Sequence, residues 1–164
     1  MKKLIIAALL ILPMSMSAQK FAHVNTEEVI KAMPETVKAQ EELQKMQKDY
    51  ETELDRMQNE LKTKQEEYEK NPPTVETIKQ RKEQELQDLY QRMQQFYQTS
   101  QQDLQKAQQE KMQPVIVKVQ NAIKELGTSG GYVYIMDTSS GIPFINETLS
   151  TNLTSQLKAK VGAK

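Results

Sequence analysis

Few residues in this sequence could carry out covalent or acid–base chemistry. His23 is the only histidine and cysteine is absent, so no thiolate nucleophile and no imidazole–thiolate metal cluster can be assembled. The carboxylates fall into the charge pattern of helices, with no pair set apart for proton transfer and no neighbouring nucleophile. No GxxxxGK[ST] loop is present to cradle a nucleotide. His23 therefore reads as a partly buried structural side chain, and no enzyme activity, catalytic residue, metal site or cofactor is expected. What the chain does have is the chemistry of soft contact, with 9 methionines and 6 tyrosines. Polarizable Met and amphipathic Tyr can touch varied apolar segments without demanding one shape. Tyr50, Met57, Tyr68, Leu89, Tyr90, Met93, Phe96 and Tyr97 are the candidate residues for binding apolar segments of other proteins. Seam positions among them are read first as filling a loose coiled-coil core; for Tyr90 and Tyr97, outside the narrowest seam, both roles stand open.

These residues sit on two long charged segments, Glu35 to Leu126, interrupted at Asn71-Pro72-Pro73. Adjacent prolines cannot continue a helix, since Pro73 has no amide hydrogen and pushes Pro72 away from helical angles. The spacing predicts an antiparallel helical hairpin, a coiled-coil arm spanning 35–126 with its tip at 71–73. On the descending segment Ala39, Leu43, Met46, Tyr50, Leu54, Met57, Leu61, Lys64 and Tyr68 form a thin stripe. Their spacing alternates three and four except for a stutter at Leu54, which relaxes the supercoil and predicts a fairly straight arm. Glu41/Lys45, Glu60/Lys64 and Glu66/Lys70 have the favourable four-residue order of a solvated helix face. The returning segment carries a wider stripe: Leu86, Met93 and Ser100 at its centre, Leu89 and Phe96 on one flank, Tyr90 and Tyr97 on the other. One flank is expected to stay uncovered when the descending helix docks. Pro34 and Pro114 lie at nearly equal distances from the tip and are the candidate hinge at the root of the arm.

The chain ends supply the body. Phe21–Val24 reads as a strand, and Asn25 caps a short helix from Thr26 to Ala32, with Glu28 completing a variant capping box. Gly127 is expected to stop the returning helix. Tyr132–Met136 then forms a strand apolar on both faces and hence buried, followed by a second strand at Ile142–Ile145, placed at an edge by Pro143. Leu149, Leu153, Leu157 and Val161 recur every four residues, predicting a closing helix capped by Thr148 or Ser150. The fold class is α+β and predominantly α, a projecting hairpin on a small β-rich body made of 19–34 and 127–164. About fifty residues bury too little surface for comfortable independent stability, so the body is expected to associate with copies of itself. Phe21, Val24, Val133, Ile135, Ile142 and Phe144 are the candidate oligomerisation residues.

Residues 1–18 have Lys2 and Lys3, an apolar run Leu4–Leu12 and a small-residue end, the pattern of a secretory signal peptide cut near Ser17 or Ala18. Nine apolar residues fall well short of the ~20 needed to cross a bilayer. Removal of this segment leaves 20 basic against 22 acidic residues, a formal net charge of −2. Such balance generates no field for nucleic acid, and stable membrane binding is not expected.

The short strand Lys20–Asn25, the long charged hairpin, the strand Gly131–Asp137, a turn and the closing Leu149–Leu157 segment together resemble the Skp/OmpH-type periplasmic chaperones over the whole mature chain. The resemblance implies a homotrimer joined through the β-rich bodies, with arms that enclose unfolded outer-membrane proteins in a cavity and keep them from aggregating without ATP. It also implies residence in the periplasm. The alternative is a structural or adaptor coiled coil of the cell envelope that binds one folded partner. A continuous apolar patch at the tip would favour the adaptor, and apolar side chains scattered along the arm would favour the chaperone.

Overall fold

The computed structural model describes residues 19–163; the expected signal peptide lies outside them. Element order is β1 (Lys20–Val24), α1 (Thr26–Ala32), α2 (Pro34–Lys70), α3 (Glu76–Gly130), β2 (Tyr132–Asp137), β3 (Ser150–Asn152) and α4 (Thr154–Val161). Asn25 caps α1 as expected, its Oδ1 accepting from the Glu28 amide at 3.0 Å. Pro34 occupies the first turn of α2, where a missing amide hydrogen costs nothing. The break falls at Asn71-Pro72-Pro73, and α2 and α3 pack together as a hairpin.

The two arms are unequal. At ~1.5 Å per residue, the 37 residues of α2 span about 56 Å and the 55 residues of α3 about 83 Å. The surplus of α3 runs across the body. Val115, Val119 and Ala122 there join Ala22 and Val24 of β1, Val29 of α1, Met33, and Leu153, Leu157 and Val161 of the C-terminal segment in one core. Pro114 lies inside α3, one residue before this buried stretch, without ending the helix.

β1 is the middle strand of a three-stranded sheet of order β2-β1-β3, parallel to both neighbours. Phe21 pairs with Tyr134 and Ala22 with Ile135 on one side; Phe21 pairs with Ser150 and His23 with Asn152 on the other. Alternation along β1 sends Ala22 and Val24 into the core, and Phe21 and His23 to the opposite face. His23 is buried, with Nδ1 2.9 Å from Ser150 Oγ, which agrees with the structural role read from the sequence. Asp137, at the end of β2, accepts from the Thr26 amide at 3.2 Å and from Thr26 Oγ1 at 2.5 Å, fastening β2 to the start of α1.

Four expectations are corrected. α3 continues through Gly127 and ends instead at Gly131, whose φ of 66° only glycine adopts readily. A Cβ at Gly130 would press on the Tyr132 ring, which would then have to shift. Residues 142–145 form no strand; the third strand is the polar Ser150–Asn152, which owes its conformation to the free edge of β1 and not to side-chain pattern. The closing helix starts at Thr154, with Asn152 Oδ1 accepting from the Thr154 amide at 2.9 Å, so neither Thr148 nor Ser150 caps it and Leu149, 71% exposed, is outside it. β2 is an edge strand in the single chain, leaving Val133 (59%), Tyr134 and Met136 exposed in place of the burial expected.

The position of Leu157 at 0% exposure makes a direct test possible. Leu157→Ala should cost the body about 2–5 kcal/mol in urea denaturation, whereas Gln156→Ala on the exposed side of α4 should change it by less than about 0.5 kcal/mol.

Candidate functional site

The arm is held shut by a thin seam and a ladder of polar crossties. Ala39 and Leu89 are buried, while Leu43, Met46, Tyr50, Leu54, Met57, Leu61, Lys64 and Tyr68 of α2 are only partly covered. On α3, Leu86, Met93 and Phe96 are partly covered, and Ser100 is buried at the centre of the stripe, its Oγ donating to the Tyr97 carbonyl at 2.8 Å. A small residue there lets the two helices approach closely. Tyr50 and Phe96 meet edge-on across the seam with ring centroids 5.8 Å apart, a contact that contributes beyond the area it covers.

The crossties run from root to tip. Lys118 pairs with Glu35 and Lys111 with Glu42 near the body. Tyr50 donates to Asp103 at 3.2 Å at mid-arm, Lys64 to Glu85 at 2.5 Å and Tyr68 to Glu83 at 2.6 Å toward the tip. The pattern of four-residue pairs read from the sequence is thus partly redirected. Glu66–Lys70 forms at 3.5 Å, but Lys64 turns across the seam to Glu85, and Glu60 is taken by Arg56 at 3.2 Å. Lys64 is a stripe position, so its ammonium can reach the facing helix while its alkyl stem covers the seam.

These bonds leave a mark on ionisation. The Lys118, Lys111 and Lys64 ammonium groups, by hydrogen bonding, hold the Glu35, Glu42 and Glu85 carboxyls below their usual value of 4.5. Burial, then the Asp103 charge, raises the Tyr50 phenol. The hydrogen bond to Glu83 raises that of Tyr68.

The sequence-derived candidates therefore divide. Tyr50, Met57, Tyr68, Leu89, Met93 and Phe96 lie in or beside the seam and help to close the hairpin. Tyr90 and Tyr97 stand off it, 48% and 54% exposed, on the flank that α2 leaves uncovered. Other exposed apolar side chains extend the distribution: Val75 and Ile78 next to the tip, and Val37, Ile116 and Val117 near the root. The root residues were missed because each lies outside the periodic stripe of its helix, Ile116 and Val117 filling the run between Val115 and Val119 off that stripe. In the body, Val24 is wholly buried inside its own chain's core, Ile135 packs against that core, and Phe21 stacks on Tyr134 at 5.0 Å. Val133 and Phe144, the latter 77% exposed, face solvent, and Ile142 is half-buried. Among the described residues no group of three His, Asp or Glu side chains is placed to share a metal ion, and no helix is long and apolar enough to cross a membrane.

A helical hairpin inserted in a small sheet, with amphipathic side chains exposed along its length, has the build of a protein that works by surface contact. Residues 20–161 match the family described as Outer membrane protein (OmpH-like), and the chain belongs to that family. Membership supports, in general terms, a periplasmic chaperone-type function toward outer-membrane proteins. Comparison with curated proteins finds no match.

The depressed carboxylates give the arm a pH signature with a defined sign. Their contribution is complete at pH values above the ordinary carboxylate value of 4.5 and is lost as the pH falls through the lowered folded-state values. Helix content followed by circular dichroism during thermal melts should show a midpoint that drops on acidification below that value. The triple variant Glu35→Gln, Glu42→Gln, Glu85→Gln should start lower at neutral pH and show a shallower acid drop.

Proposed function

We propose that this protein is an ATP-independent periplasmic holdase. It binds unfolded outer-membrane proteins between the arms of an oligomer, a homotrimer joined through the bodies, and prevents their aggregation. The observation that carries this reading is the distribution of exposed apolar and amphipathic side chains. They occur near the tip (Val75, Ile78), along the arm (Tyr90, Tyr97) and at the root (Val37, Ile116, Val117), and not as one continuous patch at the tip. Each alone makes a weak, undemanding contact. Carried on several arms around one chain, such contacts act together through high local concentration and give affinity without sequence preference. The open edge of β2 with Val133, Tyr134 and Met136, and the exposed Phe144, supply apolar surface for association of the bodies.

In this reading Tyr90 and Tyr97 are the foremost client-binding residues, with Tyr50, Met57, Tyr68, Leu89, Met93 and Phe96 presented when the seam loosens. Pro34 and Pro114 act as the hinge. Pro114 contributes no amide hydrogen to the ladder of α3, which weakens that helix against bending where it leaves the body core.

The purified mature chain should elute at the mass of three subunits in light scattering coupled to gel filtration. At stoichiometric ratio and without nucleotide it should slow aggregation of a urea-diluted outer-membrane β-barrel. Tyr90→Ser with Tyr97→Ser should weaken that protection about tenfold, the scale of losing roughly two exposed aromatic contacts. Absence of protection by the unmutated chain would sink the holdase reading in favour of an adaptor for one folded partner. For the hinge, spin labels placed on two arms should report a narrower spread of separations in Pro114→Ala; an unchanged spread would remove the prolines from the mechanism.

A further inference from the structure

The crossties that close the hairpin are unevenly spaced. Counted along α2, Glu35, Glu42 and Tyr50 follow one another at seven and eight residues, and Lys64 and Tyr68 at four, but fourteen residues separate Tyr50 from Lys64. In that span Arg56 turns back along its own helix to Glu53 and Glu60, and no side-chain hydrogen bond or ion pair joins the two helices there among the described residues. The covered positions of the seam are Leu54, Met57 and Leu61 on α2 and Leu89, Met93 and Phe96 on α3. Met57 lies midway between Tyr50 and Lys64, and Met93 one residue from midway between Glu85 and Asp103. The two thioethers thus stand at the same height, in the centre of the longest stretch that polar contacts leave unsupported.

Both side chains are only half-buried. Met93 also lines an open groove with Leu54 and Tyr97, bordered by Gln58, Gln94 and Gln98, so a small oxidant reaches it from solvent. A peroxide transfers one oxygen atom to such a sulfur. A sulfur lone pair attacks the peroxide, the O–O bond breaks, the transferred oxygen gives up its proton, and the other oxygen leaves as water. Sulfur loses two electrons, the peroxide gains them, and the side chain stays uncharged. A soft apolar contact has then become a strong hydrogen-bond acceptor. Inside the seam that acceptor finds no donor, since the Ser100 hydroxyl is committed to the Tyr97 carbonyl and the covered positions around it are apolar. An acceptor buried without a partner is costly, whereas in the groove water and glutamine amides supply donors.

We propose that Met57 and Met93 form an oxidation-sensitive latch: reduced, they close the middle of the arm, and as sulfoxides they turn outward and open it, with the crossties on either side left in place. The other methionines among the described residues are placed differently. Met33 is fully buried in the body core and Met136 lies on the exposed edge strand, while Met46 and Met112 stand within four residues of Tyr50 and Lys111, beside crossties that a sulfoxide does not break. Opening bares Leu89, which is 2% exposed in the closed arm, and Phe96. The latch concerns the arm alone; its effect on capture of unfolded protein rests on the holding function proposed above.

The test treats the full mature chain with hydrogen peroxide, locates the oxidised methionines by mass spectrometry and follows amide hydrogen exchange along the arm. Sulfoxide at Met57 and Met93 should speed exchange in 54–61 and 89–96 by about tenfold or more, leave the root at 111–119 unchanged, and be reversed by methionine sulfoxide reductases. Met57→Leu with Met93→Leu, a swap that conserves volume, should keep its slow exchange under peroxide. Met46→Leu with Met112→Leu should respond as the unmutated chain does. The latch is overturned if Met57 and Met93 stay reduced while Met136 is oxidised, if both are oxidised without faster exchange, or if the first leucine variant opens equally. In the aggregation assay the oxidised chain should protect a urea-diluted outer-membrane β-barrel at a lower ratio than the reduced chain. Faster exchange with no protection in either state would remove the holdase and support the latch by itself.

Discussion

The parallel pairing of β1 with segments more than a hundred residues further along the chain is the constraint on which the molecule depends. A parallel neighbour cannot be reached by a tight turn and needs a crossover connection. Here the crossover between β1 and β2 is the entire arm. A flexible loop of that length would return to its starting point at an entropic cost, whereas a helical hairpin returns by geometry, because a descending and an ascending helix cancel each other's displacement. The arm and the body are thus mutually required: the hairpin closes the sheet, and the surplus turns of α3 supply Val115, Val119 and Ala122 to the core that the short chain ends could not build alone.

Along the arm, the economy of apolar contact is itself the design. A seam that buries Ala39, Leu89 and Ser100 but leaves most of its other positions half covered closes the hairpin with little apolar contact. The crossties from Glu35–Lys118 to Tyr68–Glu83 span the seam from root to tip and help to set its register. Exposed ion pairs of this sort are individually weak and screened by salt, so they align the helices without locking them.

Much of the fold was legible. The double proline at 72–73 and the Asn25 cap each have one local consequence and each appeared where expected. The uncovered flank at Tyr90 and Tyr97 followed from a stripe too wide for one partner helix. The misses share one cause, dependence on a distant partner. Ser150–Asn152 has no strand pattern and is extended only because β1 offers it an edge. Ile142–Ile145 has the pattern but pairs with neither edge strand of the sheet. Gly127 had the right chemistry for a helix stop, yet α3 runs on against the body until Gly131 takes the left-handed turn.

Helix, cap, break and stripe are therefore properties this sequence determined by itself, because they arise from residues within one or two turns of one another. Tertiary structure alone decided which strand takes the centre of the sheet and whether Lys64 bonds along its helix or across to Glu85. The choice at Lys64 depends on the register of two helices joined at a tip far from the body. Register is set by the sum of many weak contacts along the whole seam, so no short stretch of sequence records it.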